Sequence, residues 1–194
     1  VPRASAADAA ETARRVLAVA TDLFAERGYA GVALDDVARA ARVTRGAVYH
    51  HYGSKEGLFL AVADGLQAAV AAHLVAVADD GGPDPRARLR AGSHAFLDAI
   101  TAPGTARVLL VEAPAVLGWQ RWRAQDAEAS GVHLTEALAD VGVDPALRDA
   151  LSAQLSGAMN EAALWLAERT DDPAARPAAH AALDRLLDAA VPTP

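Results

Sequence analysis

Apolar residues recur every three to four positions along almost the whole chain, and no segment alternates between apolar and polar residues as a half-buried strand would. This period restricts the fold to packed helices. Val16, Leu17, Ala20, Leu23 and Phe24 share one face of a first helix, which Gly28 closes as a C-terminal glycine. Leu34, Val37, Ala38 and Ala41 predict a short second helix. Thr44 caps a third that runs to Tyr52, and Gly53-Ser54 breaks the chain and caps a fourth, carried by Leu58, Phe59, Val62 and Leu66 towards Asp79. The turn-forming stretch Asp80-Gly81-Gly82-Pro83-Asp84-Pro85 reads as a linker. Further helices are predicted near 86–101, 104–112, 115–129, 133–140, 145–169 and 174–190, with Pro103-Gly104, Pro114, Gly131, Gly142 and Pro173 as punctuation. The expected fold class is all-α: a three-helix head over residues 1–56 and a larger helical body over 57–194, bridged by the fourth helix. No internal repeat of solenoid length is visible.

With 194 residues the chain can bury a substantial core, and without cysteine it has no disulfide framework, thiolate zinc site or cysteine nucleophile. No apolar run approaches the ~20 residues of a membrane span, and no charged-then-apolar stretch resembles a signal peptide. The expectation is a soluble, cytoplasmic protein with no membrane partner. The net charge of -7 taken alone argues against nucleic acid, but its distribution answers the objection. Residues 1–60 hold eight Lys and Arg against seven Asp and Glu, so the acidity lies beyond them. Between Arg39 and Lys55 stand four basic residues, two histidines and no acid, which suits either a local DNA footprint or a solvated face.

Helix, tight turn and short helix between Leu34 and Tyr52 match a helix-turn-helix, whose second helix lies in the major groove. Thr44, Arg45, Gly46 and Ala47 open that helix. Small residues there let the backbone approach the bases, and arginine is the side chain best able to grip guanine O6 and N7 with two hydrogen bonds. Tyr49, His50 and His51 carry donors suited to phosphate oxygens. Ser54 and Lys55 add free backbone amides and a cation at the start of the next helix.

Residues 10–60 resemble the DNA-binding domain of the tetracycline-repressor (TetR) family. The stretch TRGAVYHHYGSKEGL from Thr44 to Leu58 is close to that family's signature, and Gly28-Tyr29 and Asp36-Val37-Ala38 match upstream. The resemblance implies a helical homodimer with an effector pocket in its body. It assigns phosphate contacts to Tyr49, His50, His51 and Lys55, and base reading to Arg45, Gly46 and Ala47. Two departures stand out. Val32 and Ala33 replace the usual hydroxyl residues before the second helix, removing a cap worth ~1 kcal/mol, which Asp35 and Asp36 partly offset through the helix dipole. Arg42 stands in the turn where glycine is common, and a positive φ there would cost roughly 1 kcal/mol.

Structural readings compete with several of these. Val48 and Tyr52 fall on the buried face of the third helix. His50 and His51 point roughly 100° apart on a helix and cannot form one metal pair. His73, His94, His133 and His180 are scattered, Asp79, Asp80 and Asp84 lack the final glutamate of a calcium loop, and neither Ser93 nor Ser156 sits in a nucleophile elbow. No enzyme, metal or cofactor is therefore expected. Trp119 and Trp122, three apart, suit a core, but with Phe96 and Ile100 as apolar wall and Glu112 and Asn160 as polar anchors they also suit an effector pocket. Leu147, Leu151, Leu155, Ala158, Ala162 and Trp165 form one stripe, and Ala182, Leu183, Leu186, Leu187 and Ala190 another. They are expected to build a four-helix dimer seam, or else to be internal core. The combined expectation is a transcriptional repressor that binds an inverted-repeat DNA operator as a homodimer and is released by an unidentified small molecule. A helical ligand carrier without DNA binding is the alternative.

Overall fold

A computed structural model describes residues 6–191, so the outer ends of the expected head and body, at 1 and 194, lie outside it. Every regular element among the described residues is helical. The head comprises α1 (Ala6–Arg27), α2 (Leu34–Ala40) and α3 (Arg45–Tyr52). Gly28, at φ +71°, ends α1 in the left-handed region that a residue without Cβ enters freely. Thr44 Oγ1 accepts the Ala47 N–H at 3.2 Å to start α3, and Ser54 Oγ accepts the Gly57 N–H at 2.9 Å to start α4 (Lys55–Asp80). Phe24, Phe59 and Tyr29 interlock in the head's core, with the Phe24 and Phe59 rings edge-to-face at 5.1 Å.

Helix α4 belongs to both parts of the molecule. Its first turns carry Phe59 into the head, while Leu74 near its far end packs in the body, chiefly against α5 (Pro85–Ile100). The expected division at residue 56 thus falls inside its first turn. By length and composition α4 is also the one helix among the described residues able to cross a membrane, although Asp64, Gln67 and His73 interrupt its apolar run.

The body continues through a π-helical segment (Arg107–Glu112), α6 (Ala113–Leu117), α7 (Trp119–Asp126), a second π-helical segment (Ala127–Gly131), α8 (Val132–Asp140), α9 (Pro145–Ala167) and α10 (Ala175–Ala190). Asp84-Pro85 and Asp144-Pro145 start α5 and α9 in the same way, each aspartate accepting a backbone N–H and each proline occupying the first turn. Two of the expected punctuation marks do not interrupt the helix. Pro114 does not stop the helix, because the wider π turn before it accommodates the ring and the missing N–H. Gly131 is also carried inside helical backbone, and its carbonyl accepts from Thr135 Oγ1 at 3.0 Å and Ser152 Oγ at 3.3 Å. The break falls instead at Gly118, at φ +85°, inside the helix predicted over 115–129.

Candidate nucleic-acid interface

Helix α2 ends at Ala40, and the chain turns through Ala41 and Arg42 into α3. The Val43 N–H donates to the Ala38 carbonyl at 2.9 Å across this turn, and Arg42 sits at φ +55°, the one positive φ among described non-glycine residues. The turn is braced from α1, where Arg15 Nε donates to the Ala41 carbonyl at 2.9 Å. The Tyr52 hydroxyl donates to the Ala13 carbonyl at 2.8 Å and fixes the far end of α3. Neither brace carries a signal in the sequence, since each joins a side chain to a carbonyl 26 or 39 residues away.

Val48 is fully buried, so the opposite face of α3 is outward: Thr44, Arg45, Gly46, Tyr49 and His50 are exposed, and Ala47 and His51 partly so. A Cβ at Gly46 would meet only Thr44 Oγ1, at 3.8 Å. The molecule's own packing therefore does not require glycine there, whereas close approach of a base edge would. Arg45 is already held. Its Nη1 donates to Asp35 Oδ2 at 2.9 Å and its Nη2 to the Tyr49 hydroxyl at 3.4 Å, and both contacts push the guanidinium pKa further up. The pair spans the α2–α3 groove, so an acid on α2 orients the expected base reader before any base is present. Lys55 Nζ lies 4.3 Å from the centre of the Tyr29 ring, in a cation–π contact beside the free amides that begin α4.

The head is also tied to the body away from α4. Arg107 Nη1 donates to the Glu26 carbonyl at 2.8 Å, at the C-terminus of α1, with Glu112 Oε1 3.6 Å from its Nε. A Cβ on Gly28 would collide with both side chains, and one on Gly104 would collide with Ala25. Glu112, expected in a pocket, instead belongs to this junction.

A cavity of about 240 Å³ lies between α4, α5, α8 and α9, walled by Leu74, Leu89, Phe96, Leu134 and Met159. Of the expected effector-pocket residues only Phe96 lines it. Ile100 and Trp122 border a neighbouring void of about 10 Å³, and Trp119, its ring tilted 41° to that of Trp122 at 4.9 Å, is 64% exposed. Asp126, behind the cavity, is bound by Arg123 Nη1 at 2.6 Å and by the Ser156 hydroxyl at 3.2 Å; burial nevertheless pushes its carboxyl pKa up. Asn160 is buried against the same carboxylate, with no well-formed hydrogen bond from its amide. At the expected dimer seam, Leu147, Trp165, Ala182 and Leu186 are exposed and Leu151, Ala158, Ala162 and Ala190 half-buried, whereas Leu155, Leu183 and Leu187 point into their own protomer.

Residues 16–62 match the family described as bacterial regulatory proteins, tetR family, and residues 86–190, more than half of the chain, match the tetracyclin repressor-like C-terminal domain. The chain belongs to the TetR family. A crystal structure of a TetR-family regulator from Pectobacterium atrosepticum is 33% identical, with a TM-score of 0.77 over 98% of this chain and all of that one. A helix-turn-helix repressor of Mycobacterium tuberculosis is 46% identical over 56 residues, 29% of this chain and 30% of its own length. An activator of Mycolicibacterium smegmatis is 36% identical over 90 residues, 44% of this chain and 39% of its own. The curated relatives are thus matched over well under half of their length. Relative to the usual TetR pattern, α2 has no side-chain cap at Ala33, but the Asp36 carboxylate accepts the Ala33 N–H at 3.3 Å and replaces part of what the hydroxyl would supply.

Proposed function

We propose that this TetR-family chain is a sequence-specific DNA-binding transcriptional regulator, a repressor, that acts in the cytoplasm as a homodimer on an inverted-repeat operator. It is not an enzyme and uses no cofactor. The observation that carries this reading is the first turn of α3, where an oriented Arg45 and the open backbone at Gly46 stand exposed on a matching head. Arg45, Gly46 and Ala47 read bases; Thr44, Tyr49, His50, His51 and Lys55 position the helix on phosphates.

The apolar positions left outward on α9 and α10, namely Leu147, Ala158, Ala162, Trp165 and Leu186, form the dimer seam. A two-fold axis through it presents the two heads to major grooves about 34 to 36 Å apart. Helix α4 supplies the switch, since it starts at Ser54-Lys55 on the DNA side and lines the 240 Å³ cavity with Leu74 and Ala78. A small molecule that fits the cavity better in the released conformation moves the far end of α4 and so the head, with a coupling of roughly 1 to 3 kcal/mol.

Selection of bound sequences from a random duplex pool tests the reading. The expected product is an inverted repeat whose enrichment weakens steeply with salt. No enriched sequence, or a direct repeat, overturns it.

A further inference from the structure

We infer that the cavity takes an apolar amine of about ten heavy atoms, its uncharged body between α5 and α9 and its ammonium at the mouth between Glu136 and Asp140. This rests on the proposed effector role of the cavity and names the ligand's chemistry.

Size comes first. A dry cavity of ~150 Å³ accommodates benzene, so about 240 Å³ admits roughly ten heavy atoms on the same scale. Leu74, Leu89, Phe96, Leu134 and Met159 supply an apolar interior, which sets the body of the ligand.

Charge at the mouth sets the rest. Glu136 and Asp140 lie one turn apart on α8, both exposed and both lining the opening. Like charges at that spacing repel, and Asp140 is the last residue of α8, where the free carbonyls add to the negative field. No basic side chain occupies that last turn. Other acids in the region are matched: Asp79 by Arg88 at 3.0 Å, and Asp126 behind Ser156 by Arg123 at 2.6 Å. Glu136 has only His133 on its own helix, at 3.6 Å, and Asp140 forms no hydrogen bond or ion pair. The one guanidinium on the lining, Arg88, is already engaged by Asp79, and the His133 ring on the same lining faces Glu136, so a carboxylate ligand would meet the unpartnered Asp140 and no free guanidinium. An ammonium, charged at neutral pH like that of lysine, relieves the repulsion instead.

The test uses the full chain without DNA and three compounds with one apolar body: 3-phenylpropylamine, 3-phenylpropanol and 3-phenylpropanoate. Calorimetric titration at low salt should show the amine binding about tenfold or more tighter than the alcohol, with the acid weakest. In the Glu136→Gln/Asp140→Asn double variant the amine should fall to within about twofold of the alcohol, whose own affinity stays put because its contacts are apolar. Equal or tighter binding of the acid, absence of binding by the amine, or an amine preference that survives the double substitution overturns the inference. A parallel titration with selected operator DNA separates the two readings. Lost operator binding with the amine preference intact removes the regulatory role and leaves the ligand class standing; the reverse pattern removes the ligand class alone.

Discussion

Replacing Arg42 with glycine should make the chain more stable while weakening its grip on DNA. Arg42 holds φ +55° because it occupies the left-handed position just beyond the end of α2, where the Val43 N–H reaches back to Ala38. A side chain with a Cβ is strained there by ~1 to 2 kcal/mol. Glycine removes the strain but frees the unfolded chain by ~0.4 to 1 kcal/mol, leaving a net gain of about 0.5 to 1 kcal/mol. For a domain of this size that raises the unfolding midpoint by about 2 °C. Arg42→Ala is the control, since it loses the same guanidinium and keeps the strain. Thermal unfolding followed by circular dichroism should therefore rank glycine above alanine, with alanine near the parent. The Arg42 guanidinium is exposed. If it meets a phosphate, both variants should lower the slope of log affinity against log salt by about 0.9. A glycine variant no more stable than the alanine one would refute the strain argument outright.

Arg45→Ala should cost ~1 to 3 kcal/mol and flatten the preference at one base pair per half-site, as read by competition with operator variants. Even loss across all variants would mean that Arg45 touches only the backbone. Asp35→Asn, which releases the Arg45 guanidinium, should raise non-specific affinity and narrow discrimination; unchanged discrimination would mean that the 2.9 Å pair orients nothing. Leu186→Arg places a charge on an outward position of α10 and should give folded monomers in sedimentation, whereas Leu155→Arg strikes a buried position and should unfold the protomer. A dimeric Leu186→Arg variant moves the seam elsewhere. Asp126 binds its proton more tightly in the folded chain, so its contribution makes stability fall as pH rises above the ordinary carboxylate range. Asp126→Asn should abolish that part of the fall in urea unfolding as pH rises above about 4; identical pH profiles in the two chains would show that burial imposes no penalty there.

The head was legible because its signals are local. Thr44, Ser54 and Gly28 act on residues within one turn, and the strain at Arg42 followed from asking what backbone the turn needs. The body was legible only as helices. Gly118 is a break and Pro114 is not, because π turns change the spacing at which a proline clashes, and nothing in a 3.6-residue period announces them. The stripes on α9 and α10 show which residues are apolar, but not which neighbour each faces. Leu155 and Leu186 look alike in sequence and lie on opposite sides of the protomer surface. The pocket reading followed the tryptophans, and these lie beside the cavity because Trp119 and Trp122 pack on each other at one edge of the body. The arrangement of Glu136 and Asp140 was visible as a spacing but had no meaning until α8 was seen to face an enclosed space.

The Arg107 contact with the end of α1 changes what kind of motion the head can make. A body joined to its head through α4 alone would let the head swivel in any direction about that point. Here there are two attachments, α4 where it leaves the head beyond Phe59 and the clasp at Glu26, and two fixed points define a line. Any displacement that keeps both is a rotation about that line, like a door on a pair of hinges. In the proposed dimer the two α3 helices would then trace one arc each, and the distance between them would follow a single coordinate.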